Sequence, residues 1–205
     1  SGYRNEILSK LELFPAKDHI ETRVGKNVTI ICRGTGPVTW HWEHLPFSNH
    51  SRMDVEEHRC KKQSEAHLTC SYLKLTKAEV KDTGYITCLY KHQTKSSLRL
   101  QARIYLYVKD YTQPFLEMNT ATPGAAIMDV KANELVVPCR VSAPEFKVTL
   151  QYYFDKSEVN QPGMEWDPKI GFTISSPHYS LSEIVQCVTT VKGKHFETRF
   201  WKQII

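Results

Sequence analysis

Six cysteines and nine histidines are the residues of this chain best suited to chemistry. The cysteines stand at positions 32, 60, 70, 88, 139 and 187. A thiolate can attack a carbonyl, hold a metal or close a disulfide, and its surroundings decide which. His58, Cys60, His67 and Cys70 together offer two nitrogens and two sulfurs, the ligand set of a structural zinc site. Their spacing, Cys-x9-Cys with His-x-Cys, is not that of a zinc finger. His41 and His44 could also be imagined as ligands, but they read as exposed histidines on a strand and a loop. Serines and histidines are scattered without a motif such as Gly-x-Ser-x-Gly, so the chain is not expected to be an enzyme. An even number of cysteines in 205 residues suits an oxidising compartment. Six allow fifteen pairings, and spacing alone does not choose among them. Two sequons, Asn27-Val28-Thr29 and Asn49-His50-Ser51, agree with export and mark Asn27 and Asn49 as glycosylation candidates.

The elements that must position these residues are bounded by size and composition. A chain of 205 residues suits two domains of ordinary size. Hydrophobic content of 40% and charged content of 24% are ordinary for globular protein. No apolar run is long enough for a membrane helix, so the chain itself is not expected to be membrane-inserted. No signal-peptide pattern stands at Ser1, so a mature chain or a piece of a longer one is expected. The net charge of +5 is uneven: residues 1–107 hold 17 Lys and Arg against 11 Asp and Glu, and residues 108–205 hold 10 against 11. Lys91, Lys95, Arg99 and Arg103 offer a basic strand to heparan sulfate, although a solvated strand face is the blander expectation. Nothing resembles a nucleic-acid-binding fold, and no cofactor or metal is implied.

Period-two alternation marks strands throughout. Val28, Ile30 and Cys32 share one face, which leaves Asn27 pointing out. Val38, Trp40 and Trp42 share the next core face, with Leu73 and Leu75 continuing it. Residues 84–91 carry Cys88, and residues 98–108 form the last strand of the first half. In the second half, Leu135, Val137, Cys139 and Val141 face in, as do Val148, Leu150 and Tyr152. Tyr153 then faces out, with Phe154 at the strand end. Around Cys187, Val185 faces in while Ile184 and Gln186 face out. Outward Tyr153 and Ile184 have the wrong parity for a core, and clustered exposed apolar residues mark an interaction site.

A cysteine, a tryptophan some ten residues on, and a later cysteine preceded by Asp-Thr-Gly resembles the immunoglobulin frame: Cys32, Trp40, then Asp82-Thr83-Gly84 before Cys88. Cys139 and Cys187 repeat the cysteine pair. The resemblance implies an all-β chain of two tandem immunoglobulin-like sandwiches, residues 1–109 and 110–205, joined by a short stiff linker at Asp110 to Pro114. It also implies Cys32–Cys88 and Cys139–Cys187 bridges, leaving Cys60–Cys70 as a local bridge in preference to zinc, with Trp40 packed on the first bridge. The tyrosine usual two residues before the second cysteine is here Ile86, and Leu150 replaces the second tryptophan.

Several stretches are similar to the vascular endothelial growth factor receptors, within the platelet-derived growth factor receptor group. They are Cys32-Arg33-Gly34 leading to Trp40-His41-Trp42, Tyr105 to Tyr111 with Pro114-Phe115, Pro138-Cys139, Val148-Thr149-Leu150, and Trp166-Asp167 with Gly171-Phe172. The resemblance implies the ligand-binding part of a receptor tyrosine kinase ectodomain, on the extracellular side of the cell membrane, with the kinase domain outside this chain. The implied partners are a dimeric cystine-knot growth factor and, through it, a second receptor chain. Matching positions make Thr122, Tyr153, Phe154 and Ile184 the ligand face, with Phe200 and Trp201 toward a following domain. Asn119 stands where relatives can carry an aromatic contact residue. An adhesion protein that pairs with itself and a secreted growth-factor trap remain alternatives.

Overall fold

The computed structural model describes residues 8–43, 51–92, 100–177 and 184–205. Asn49, His44, Lys95 and Arg99 lie outside these residues. The chain divides into two compact units, Ser1–Val108 and Lys109–Ile205. Among the described residues regular structure is β, with two short 3-10 turns at Gln63–Glu65 and Val80–Asp82.

The first unit holds β1 (Glu12–Phe14), β2 (His19–Arg23), β3 (Val28–Gly34), β4 (Val38–Trp42), β5 (Met53–Arg59), β6 (Thr69–Leu75), β7 (Gly84–Tyr90) and β8 (Gln101–Lys109). They form two four-stranded sheets, β1-β3-β6-β5 and β2-β8-β7-β4. Alternation makes the inner faces apolar: Val28, Ile30, Cys32, Leu73 and Leu75 on one sheet meet Val38, Trp40, Trp42, Ile86, Cys88 and Ile104 on the other. Cys32–Cys88 links the sheets, with Cα atoms 6.5 Å apart. A loop of this size is stabilised by about 4 kcal/mol when closed, on the chain-entropy model.

Trp40 pairs directly with Cys88 on the neighbouring strand, and Ser71 pairs directly with Cys32. The Trp40 indole N–H donates to Ser71 Oγ at 2.9 Å, so a buried hydrogen bond crosses between the sheets beside the disulfide. Ile86 fills the tyrosine position as a core residue, 1% exposed. A different tyrosine does the tying: Tyr90 donates to Ser9 O at 2.7 Å and accepts from Thr35 N–H at 3.1 Å. The Cys60–Cys70 bridge is closed, so neither sulfur is free to bind zinc.

Asp82, 0% exposed, is a buried carboxylate at the turn before β7. Arg52 meets it with two parallel bonds of 2.7 and 2.8 Å, and Glu79 N–H donates a third at 2.7 Å. The hydrogen bonds that the Arg52 guanidinium donates to Asp82 raise its pKa above the ordinary value despite desolvation.

The second unit holds β9 (Gly124–Asp129), β10 (Glu134–Val137), β11 (Val148–Tyr152), β12 (Met164–Asp167), β13 (Gly171–Ser175), β14 (Ile184–Val191) and β15 (Lys194–Ile204). Their order is β11-β14-β15-β9-β10-β13-β12. β9 pairs parallel to β15 and antiparallel to β10, joining the two sides of the sandwich into one wrapped sheet. Cys139–Cys187 crosses the core, and Leu150 pairs directly with Cys187 as Trp40 does with Cys88. Gly171, at φ 108°, allows β13 to approach its neighbour β10 closely: a Cβ there would lie 2.1 Å from Val137 O. The Pro114 stretch is bound into this unit. Ser142 N–H donates to Pro114 O, Ser142 Oγ to Gln113 O, and Phe115 is fully buried.

Removing Arg52 leaves the Asp82 carboxylate buried without its cation. Arg52→Ala should therefore destabilise the first unit by about 3 kcal/mol. Denaturant unfolding of the chain and the variant measures this, and an unchanged midpoint would refute the role given to the pair.

Candidate functional site

The candidate face lies on the outer surface of β11, β14 and β15. In β14, Cys187 and Val185 face the core, so Ile184 and Gln186 face out. In β15, Phe196 and Phe200 face the core, so Arg199 and Trp201 face out. Register then lines up the outward residues. Ile184 pairs with Trp201, Gln186 with Arg199, and Gln151 with Gln186. Tyr153 follows β11 and its N–H donates to Ile184 O at 3.3 Å. Tyr153, Ile184 and Trp201 thus form one cross-strand row, with the Gln151, Gln186 and Arg199 row beside it.

Phe154 is 78% exposed and Trp201 45% exposed, both large for solvent-facing apolar groups. The Tyr153 and Phe154 rings meet edge to face at 5.1 Å. Two cations flank Tyr153: the Arg199 guanidinium carbon lies 4.8 Å from its ring centroid and Lys156 Nζ 4.7 Å. Arg199 is held by Glu197 at 2.7 Å and by Thr120 O at 3.0 Å. These contacts restrain the Tyr153 ring.

Thr122 is exposed in the segment leading into β9. That segment is fastened to β15 through Arg199, whose N–H donates to Asn119 O at 3.2 Å. Asn119 itself is taken up in this attachment, its backbone N–H donating to Thr198 Oγ1 at 3.1 Å. A Cβ at Gly124 would come within 2.4 Å of the Asn119 side-chain nitrogen, so any larger residue there would have to displace the Asn119 side chain.

Phe200 departs from its expected place. It is 0% exposed and belongs to the core cluster with Val185, because it has the opposite parity to Trp201. It supports the face from beneath and is not a surface contact. Gln186 has the expected outward parity but is only 1% exposed, since Gln151 and Arg199 flank it on both neighbouring strands. Its side-chain N–H donates to Gln151 Oε1 at 3.0 Å.

The turn carrying Phe154 is fixed by Asp155. Its Oδ1 accepts from Ser157 Oγ at 2.6 Å and Ser157 N–H at 2.9 Å, an Asx turn. These bonds, the hydroxyl first, hold the Asp155 pKa below the usual carboxylate value. Tyr152 N–H to Ser157 O and Lys156 N–H to Tyr152 O close the turn. Parity alone did not reveal Arg199 and Lys156 as neighbours of Tyr153. The Asp-x-Ser spacing of Asp155 and Ser157 was a readable turn signal.

In the first unit Lys91 is exposed, as is Arg103, whose guanidinium carbon stacks 4.2 Å from the Tyr85 ring centroid. Among the described residues, no three His, Cys, Asp or Glu side chains are grouped to hold a metal ion.

Two disulfide-bridged sandwiches of this topology, one with an exposed aromatic row, define a tandem immunoglobulin-like module. Residues 9–118 match the family model described as VEGFR1-3, N-terminal Ig-like domain, and residues 125–203 match that of the vascular endothelial growth factor receptor 1-like Ig-like domain. The chain belongs to the vascular endothelial growth factor receptor family. It is 28% identical to rat vascular endothelial growth factor receptor 1 over 180 residues, covering 87% of this chain and 13% of that protein. It is 30% identical to the zebrafish vascular endothelial growth factor receptor kdr-like protein over 188 residues, covering 91% of this chain and 14% of that one. The chain therefore spans about one seventh of the length of these relatives. A crystal structure of the amino-terminal eight immunoglobulin domains of Down Syndrome Cell Adhesion Molecule shares the fold, at TM-score 0.55 and 16% identity over 95% of this chain and 28% of that one.

Because its folded pKa is depressed, Asp155 supports its turn at neutral pH and stops doing so as pH falls through that depressed value. Carboxyl NMR titration should place its midpoint below the ordinary Asp value of about 3.9, and Ser157→Ala should move it upward. A midpoint that Ser157→Ala leaves in place would refute the Asx-turn account.

Proposed function

We propose that this chain is the ligand-binding part of a receptor tyrosine kinase ectodomain on the extracellular side of the cell membrane. Its two units act as immunoglobulin-like domains 1–109 and 110–205, and the second grips a dimeric cystine-knot growth factor of the vascular endothelial or platelet-derived type. The observation that carries this reading is the outward row of Tyr153, Ile184 and Trp201, with Phe154 beside it. Family membership supports a receptor role.

The work done is binding. Burying an exposed apolar side chain of this size contributes roughly 1.5–3 kcal/mol before ordering costs. Aromatic anchors on a flat sheet face lose little rotamer entropy, and the flanking cations and the Asx turn already restrain Tyr153 and Phe154. Thr122 and the Gln151 edge supply a polar rim. A two-fold ligand presents two identical sites, so it gathers two receptor chains. Kinase domains outside this chain are then brought together and activated. Domain one supports the binding domain.

Light scattering on the chain, alone and with dimeric cystine-knot growth factors, tests the reading. A monomer that shifts to two chains per ligand dimer is expected. Tyr153→Ala should weaken binding by about 2 kcal/mol, roughly thirtyfold. Ile184→Asp should abolish binding while leaving the unfolding transition unchanged. Full binding by Ile184→Asp would sink the proposed face, and a ligand-independent dimer would favour an adhesion role.

A further inference from the structure

We infer that Arg199 is a positioning residue of the second unit's outer face: its guanidinium sets the Tyr153 ring and the segment from Thr120 to Thr122 in one arrangement for the growth factor. The inference rests on the binding role proposed above. Arg199 lies in β15, pairs directly with Gln186 and faces out. Its partners come from opposite flanks of that strand. On one flank, Nη1 donates to Thr120 O at 3.0 Å and the backbone N–H donates to Asn119 O at 3.2 Å. On the other, beyond β14, the guanidinium carbon stands 4.8 Å from the Tyr153 ring centroid. Nη2 donates to Glu197 Oε1 at 2.7 Å, which helps to fix the plane of the group. Lys156, the second cation on the ring, belongs to Tyr153's own turn and so ties the ring to that turn. Arg199 instead joins two segments that are distant in the chain.

A planar, forked cation suits both tasks at once. A guanidinium spends its edge N–H groups on hydrogen bonds and keeps its face for an aromatic ring, whereas a lysine ammonium is a point charge. Folding stability does not favour the residue. Arg199 Nε is buried, and among the described residues no protein group pairs with it. Gln186 Oε1, on the directly paired residue of β14, is buried and unpaired in the same way. A buried polar atom left without a partner costs stability. A methionine would fill much the same space without adding such an atom. The arginine is therefore explained by what it holds: the ring that begins the aromatic row and the segment that carries Thr122. Holding both in advance leaves less to order when a partner binds.

The test compares the whole chain with Arg199→Met and Arg199→Lys, using dimeric vascular endothelial growth factor as the probe. Arg199→Met should melt within about 2 °C of wild type yet bind about tenfold more weakly. Arg199→Lys should bind nearly as weakly, because charge alone does not hold the two segments. Carbon NMR of tyrosine-ring-labelled chain reads the positioning without ligand. In both variants the Tyr153 signals should move toward those of a freely turning ring, and amide relaxation should show Thr122 more mobile. Wild-type affinity in Arg199→Met, or full rescue by Arg199→Lys, overturns the inference. Melting of Arg199→Met well below wild type assigns the residue to the fold and also overturns it. Unmoved Tyr153 and Thr122 signals do the same, whether or not the growth factor binds. Failure of the binding face reads differently: wild type does not bind, or Ile184→Asp binds in full, while the ring and segment signals still move.

Discussion

A half-cystine bonded across a sandwich can point only inward, and that constraint organises the exposed aromatic face as much as the core. Once Cys187 is tied to Cys139, the two-residue period of a strand sends Ile184 outward. Antiparallel pairing then carries the same parity to Trp201 on one side and Tyr153 on the other. A slip of one residue in β15 would put Phe200 in the row and drive Trp201 into a core that Phe200 fills completely. The exposed row is therefore held in place by the packing beneath it.

The two units solve the same inter-sheet problem differently. In the first, Trp40 beside Cys88 reaches across to Ser71 beside Cys32, adding a directional bond to the covalent one. In the second, Leu150 occupies the equivalent place next to Cys187 and contributes packing alone. Its sandwich gains cohesion from β9, which pairs with both sides, and from the buried Phe115 strap that follows Pro114. The polar network of Asp82, Arg52, Lys77 and Asn27 has a comparable role in the first unit. It holds the turns that enter β3 and β7, while the aromatic core holds the strands themselves.

The division of surface follows from these choices. The second unit presents aromatic side chains whose geometry is restrained by cations and by an Asx turn. The first presents charged strands and an exposed sequon asparagine. The former face therefore has few rotamers left to order, while the latter is polar and solvated.

Alternation, cysteine spacing and the Asp-Thr-Gly turn made the all-β class, the core positions and the outward Tyr153 and Ile184 legible in the sequence, because each depends only on near neighbours along one strand. The row itself depends on register among three strands distant in the chain, which parity cannot supply. Phe200 and Trp201 are adjacent in sequence, and only the pairing with Val185 and Ile184 assigns one to the core and the other to solvent. The Arg199 and Lys156 contacts on Tyr153 join residues from different strands and turns. The burial of outward-facing Gln186 likewise comes from flanking strands. Sequence by itself determined which face each strand buries. Tertiary structure decided which exposed residues stand together, because side chains become neighbours through hydrogen-bonded register and not through the order of the chain.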